Sequence, residues 1–198
     1  MRPLRLALAF ALVAVTGCGS NESPSGSQGA SSGKSSAATA PGAGTIAIRP
    51  TGLVWTAPPS FTLVQSPSPM RLATYRVARA DGDPEDAEMT VTQVGGGVEK
   101  NIDRWKNQLE GATVREQTDK TVGGLKVTIL WVEGTYQGMS MPNMPPSTPK
   151  ENYALLGAAV TSGAGDEHYF KMTGPKKTVE AARPAFDELV QSLATQTH

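Results

Sequence analysis

Three methionines, Met139, Met141 and Met144, stand two and three residues apart in the Gly- and Pro-rich stretch from Gly138 to Pro149. Three thioethers at that spacing can converge on one soft ion such as Cu(I). Set against this, long loops of such composition commonly lack a single conformation and carry methionine incidentally. A second candidate is the acidic run Asp81, Asp83, Glu85, Asp86. A calcium loop needs glycine at its sixth place and an acid at its twelfth, where this chain has Asp86 and Thr92, so a solvated turn is expected instead. His168 falls on the Phe170 and Met172 side of its segment and reads as a half-buried structural imidazole; His198 is the last residue. Gly95-Gly96-Gly97 precedes a helical period and could cradle an anion, but Glu99 in the first turn already complements the helix dipole. The remaining polar feature is Asn101, Arg104 and Gln108, spaced three and four apart on a helix flank. It is read as a partner-binding stripe or as a structural pin, and not as a catalytic site, because no base or nucleophile accompanies it.

These residues are positioned by a folded part expected over 45–198. Gly52 to Thr56 reads as a short strand, Met70 to Ala78 as a longer one after the turn Ser66 to Pro69, and Ala87 to Val94 as its antiparallel neighbour across a turn. Val98, Ile102, Trp105 and Leu109 recur at helical spacing, a helix that Gly111 stops. Thr113 to Val122, Gly123-Gly124 and Leu125 to Val132 read as a hairpin. Its second arm is apolar on both faces, which predicts a place near the sheet centre. Tyr153 to Thr161 and Glu167 to Thr173 form another pair, and the chain closes with a helix from Thr178 to Ala194, in which Pro184 should produce a kink or a late start.

The segment before this part reads as an address. Arg2 and Arg5 precede an unbroken apolar run from Leu6 to Val15, too short to span a bilayer but suited to a signal peptide. The run ends in Val15-Thr16-Gly17-Cys18, which resembles the lipobox of bacterial lipoproteins. The resemblance implies a signal peptide over 1–17, cleavage before Cys18, and acylation of the Cys18 sulfur and amine. Two or more chains anchor a protein essentially permanently. Gly19 at the next position implies the outer membrane where the host has one. Residues 19–44, mostly Ser, Gly and Ala, hold too few large apolar side chains to build a core and read as a flexible tether. The nucleophile-elbow string Gly29-Ala30-Ser31-Ser32-Gly33 and the phosphate-loop tail Gly33-Lys34-Ser35 fall inside it without flanking strand and helix, and are accidents of composition.

The order of elements resembles the PsbP-like fold, an antiparallel sheet flanked by helices. Met70-Arg71, Ala73-Thr74-Tyr75, Gly96, Asn101 to Trp105, Gln108, Asn152 to Ala158, Phe170-Lys171, Gly174-Pro175, Phe186 and Ser192-Leu193 are similar to a group of uncharacterised bacterial exported proteins. The resemblance implies an α+β domain and export, and carries no catalytic residue. Equal numbers of basic and acidic side chains, 18 each, leave no footprint for nucleic acid. One cysteine excludes an intrachain disulfide. The expectation is a monomeric, cofactor-free lipoprotein of the cell envelope. It would be held to the bilayer through Cys18 and serve as a non-catalytic binding or assembly module for an envelope protein. The alternatives are copper handling through the methionine loop and an envelope hydrolase whose catalytic groups are unrecognised.

Overall fold

A computed structural model describes residues 52–66, 68–138, 148–162 and 167–195. The strands are β1 (Leu53–Val54), β2 (Phe61–Val64), β3 (Arg71–Val77), β4 (Ala87–Gln93), β5 (Leu109–Val122), β6 (Leu125–Tyr136), β7 (Lys150–Thr161), β8 (Glu167–Pro175) and β9 (Ala194–Thr195). Helix α1 (Val98–Lys106) follows β4, and α2 (Lys176–Gln191) follows β8. Seven strands form an antiparallel sheet in the order β2-β3-β4-β8-β7-β6-β5, and β1 pairs with β9 in a separate two-stranded ribbon.

Strand alternation sends side chains to two cores. Along β8, Phe170 and Met172 join Val179, Phe186 and Leu189 of α2 together with Trp55, Tyr75 and Met89. Tyr169, between them, points the other way and packs with Ile102 and Trp105 of α1, Leu130, Val132 and Leu155. The sheet therefore separates two helical layers, as expected for this α+β class. In β6, Leu125, Val127 and Ile129 serve the α2 side while Leu130 and Val132 serve the α1 side, so the strand is buried on both faces. It nonetheless lies one place from the sheet edge, with β8 at the centre. Coverage by two helices, rather than central position, makes both its faces apolar.

Several boundaries differ from the periodic reading. α1 ends at Lys106, and Gly111 lies inside β5, whose start at Leu109 carries the last apolar residue of the helical pattern into the same core. β2, whose residues show no clear alternation, pairs with β3 from Phe61 opposite Val77 to Val64 opposite Thr74. α2 begins at Lys176, directly after the strand, and runs through Pro184. The proline lies on the exposed side, while Val179, Ala182, Phe186, Leu189 and Val190 hold the helix from the buried side.

The turn between β3 and β4 is more than a solvated loop. Asp83 Oδ2 accepts hydrogen bonds from the Thr178 backbone N–H at 2.8 Å and from its hydroxyl at 2.6 Å, and the hydroxyl oxygen accepts from Ala80 N–H at 3.0 Å. The acid thus supplies, from a distant element, the cap that Pro175 cannot provide to the first turn of α2.

Candidate functional site

The start of α1 is tied to β8 by a closed set of hydrogen bonds. Gly97 N–H donates to Glu167 Oε2 at 3.1 Å, and the Tyr169 hydroxyl donates to the same oxygen at 2.7 Å. The Asn101 amide donates to the Tyr169 hydroxyl oxygen at 2.8 Å and to the Gly97 carbonyl at 2.9 Å, and its own oxygen accepts from Arg104 Nη2. Burial, then the bond to Glu167, pushes the Tyr169 phenol well above the usual tyrosine range. Glu167 answers the question of the glycine turn: a carboxylate from β8 takes the Gly97 N–H that an external anion would need.

Beyond the end of α1, whose main neighbours are β5, β6 and β7, the same face of the sheet turns polar along β3, β4 and the middle of β8. Thr74 of β3, Thr90 of β4 and Lys171 of β8 form one cross-strand row. Arg71 reaches this face through a β-bulge: it pairs with Thr92 while Ala73 pairs with Val91, so Leu72 is the extra residue and the alternation is reset. Without the bulge Arg71 would share a face with Ala73. Its Nη1 lies 3.0 Å from Glu88 Oε1.

Lys171 is half-buried, and its ammonium donates to Gln108 Oε1 at 3.2 Å. Burial lowers its pKa from 10.5 to about 8; the charges of Arg71 and Arg104 add to the effect and that of Glu88 opposes it. On the floor of this region the hydroxyls of Thr74 and Thr173 are buried without a hydrogen-bond partner among the described residues. Burial, and after it the Glu88 charge, also raises the Tyr136 phenol.

The predicted polar stripe is therefore divided between two duties. Asn101 is 3% exposed with both ends of its amide engaged, so it cannot be presented to a partner as the spacing suggests; it pins the helix and orients its neighbour. Arg104 is exposed, and Gln108 is engaged with Lys171. Lys171 and Arg71 escaped the sequence reading. A lysine between Phe170 and Met172 in a central strand was a signal for the first; nothing in the sequence announces the bulge that aims the second.

Cys18, Met139, Met141, Met144 and His198 lie outside the described residues. His168 is on the Phe170 side, as expected, but at 2% exposed it is fully buried and not half-buried. In the acidic turn, Asp83 caps α2, Glu85 receives Lys150 at 2.6 Å and the Tyr153 hydroxyl, and Asp86 is bonded by Arg79 N–H and Arg76, which hold its carboxyl below the usual range. Among the described residues no three His, Cys, Asp or Glu side chains gather as a metal site. A separate groove of about 710 Å³ between α1 and the β5–β6 hairpin is lined by Glu99, Asp103, Asp119, Lys120 and Lys126 among others.

No family model matches the chain, and no curated protein matches it. Solved structures resemble its fold. The solution structure of cyanobacterial PsbP from Synechocystis is 11% identical over 74% of this chain and 88% of that one, with a TM-score of 0.47. LpqN of Mycobacterium tuberculosis, described as involved in cell envelope biogenesis, is 10% identical over 73% of this chain and 83% of its own, with a TM-score of 0.48. A Pseudomonas aeruginosa protein of unknown function, described as a putative regulator, is 11% identical over 70% of this chain and 99% of its own, with a TM-score of 0.46. These likenesses concern the fold alone.

Proposed function

We propose that the chain is a lipid-anchored, extracytoplasmic lipoprotein whose folded domain is a non-catalytic binding or assembly module of the cell envelope. The anchoring half of this reading comes from the apolar run Leu6 to Val15 and the lipobox-like Val15-Thr16-Gly17-Cys18 that closes it. The binding half is carried by one observation: Arg104 is exposed, yet its guanidinium donates to the oxygen of the buried Asn101, which orients it. A long, flexible cation on a solvated surface normally loses rotamer freedom when it binds, and prior ordering removes part of that cost. Arg71, Lys171 and Gln108 extend the same polar surface onto the sheet.

The test is capture of envelope proteins from detergent extracts by the full-length lipidated chain and by its Arg104→Ala variant. An envelope protein retained by the parent and lost with Arg104→Ala, at an unchanged melting temperature, supports the reading. Equal retention by both overturns the role assigned to this surface.

A further inference from the structure

We infer that Lys171, Arg104 and Arg71 frame a binding site for a doubly charged oxyanion, a phosphate or phosphate monoester group. This deepens the proposed binding function by naming the chemistry of its ligand, and it rests on that reading.

Arg71 has a carboxylate, Glu88, at 3.0 Å. Lys171 instead holds the neutral oxygen of Gln108, and Arg104 the neutral oxygen of Asn101. Neither cation forms an ion pair among the described residues, so two positive charges are oriented by amide oxygens and have no carboxylate in direct contact. Charge-assisted bonds to an oxyanion are about twice as strong as neutral ones, and guanidinium forks with an ammonium point charge are the usual donors for phosphate. Two such cations match a dianion better than a single carboxylate.

Burial supplies the second line. The Lys171 amine is held near pKa 8 by desolvation and by the two arginines, so at neutral pH it is still mainly protonated, in an environment that disfavours the charge. A bound dianion reverses that penalty. The third line is the pair of hydroxyls. Thr74, 1% exposed, lies in the same cross-strand row as Lys171, and Thr173 is the next residue along β8 on that face; neither hydroxyl has a partner among the described residues. Thr90, between Thr74 and Lys171, already donates to the Lys171 carbonyl at 3.4 Å. Hydroxyls left without acceptors in the strands beside Lys171 are groups that an oxyanion entering between the side chains above them would satisfy. The carboxylates around this region are each engaged: Glu88 by Arg71, Asp103 by Lys106, and Glu167 by Gly97 and Tyr169.

The experiment uses the full-length Cys18→Ser chain, free of lipid, in phosphate-free buffer at pH 7. Inorganic phosphate, glycerol phosphate and vesicles of phosphatidic acid are titrated separately, with phosphatidylcholine vesicles as control. Reductive methylation of Lys171, read by mass spectrometry, reports occupancy. Saturable binding that slows methylation at least tenfold, and that Lys171→Met and the exposed-site variant Arg104→Ala each weaken at least tenfold, supports the site. Protection by glycerol phosphate assigns a soluble monoester; protection by phosphatidic acid vesicles alone assigns a lipid headgroup. Absence of saturable binding below about 1 mM phosphate in every arm overturns the inference, as does Arg104→Ala binding like the parent. Phosphate silence alongside Arg104-dependent protein capture removes this inference and leaves the binding module standing. Phosphate binding with equal protein capture by parent and Arg104→Ala does the reverse.

Discussion

The indole of Trp105 lies directly on the backbone of Gly157: a β-carbon built there would sit 2.3 Å from Trp105 Cζ3. The contact joins α1 to β7 and requires a bulky residue on the helix and none on the strand. Gly157→Ala is therefore expected to destabilise the domain by about 1–3 kcal/mol through overpacking, and Trp105→Ala by about 3–5 kcal/mol through the cavity it leaves. Chemical denaturation with an unchanged m-value checks both. A neutral Gly157→Ala would mean that α1 shifts freely on the sheet.

Arg104, adjacent to Trp105, should behave differently. Its guanidinium is exposed, and truncation lets water reach the Asn101 oxygen it bonds. Arg104→Ala should cost less than about 1 kcal/mol, whereas Asn101→Ala removes bonds to Tyr169 and Gly97 and should cost about 1–3 kcal/mol. Melting temperatures of the two variants, compared at one pH, provide the check.

Asp83 and Thr178 make a helix cap from residues 95 positions apart. Because the carboxylate satisfies a backbone N–H at the positive end of α2, Asp83→Ala should lower stability by about 1–2 kcal/mol. The loss should appear as faster hydrogen exchange in the first turn of α2; unchanged exchange there would show that the cap is redundant.

Lys171 makes stability depend on pH with a definite sign. Its pKa is 10.5 in the ordinary case and about 8 in the fold, so between these values the unfolded chain binds more protons and stability rises with pH. The displacement corresponds to at most about 3 to 4 kcal/mol. Tyr75, Tyr136 and Tyr169 are displaced upwards, so they hold their protons longer in the fold, and stability falls again above pH 10. Denaturation in phosphate-free buffer between pH 7 and 11 should give a rise followed by a fall, with the rise absent in Lys171→Met.

Cys18→Ser tests the anchor. The full-length variant should move from the detergent phase to the aqueous phase or remain unprocessed, because the proposed attachment depends on that sulfur. A variant that still partitions like the parent would contradict the lipoprotein reading.

Local pattern was enough to recognise most of this architecture. The period of two in Leu125, Val127 and Ile129, and the spacing of Val98, Ile102 and Trp105, identify faces because burial of apolar side chains acts at every turn or pleat. Where a boundary was missed, the cause is tertiary. Leu109 continues the helical count of α1 yet begins β5, since strand pairing with Tyr136 wins over the helix there. β2 is held by its pairing to β3 and has little pattern of its own. The site divides in the same way. The sequence alone marks Asn101 and Arg104 as neighbours on a helix flank, because a separation of three is a property of the helix, whereas Gln108, which the periodic count adds to the same flank, lies beyond the end of α1 at Lys106. That Asn101 is buried and that Lys171 meets Gln108 across 63 positions could only be decided by how α1 docks on β8. The bulge at Leu72 then brings Arg71 to the same face. Those relationships depend on docking and register, which are set by contacts between residues far apart in the chain.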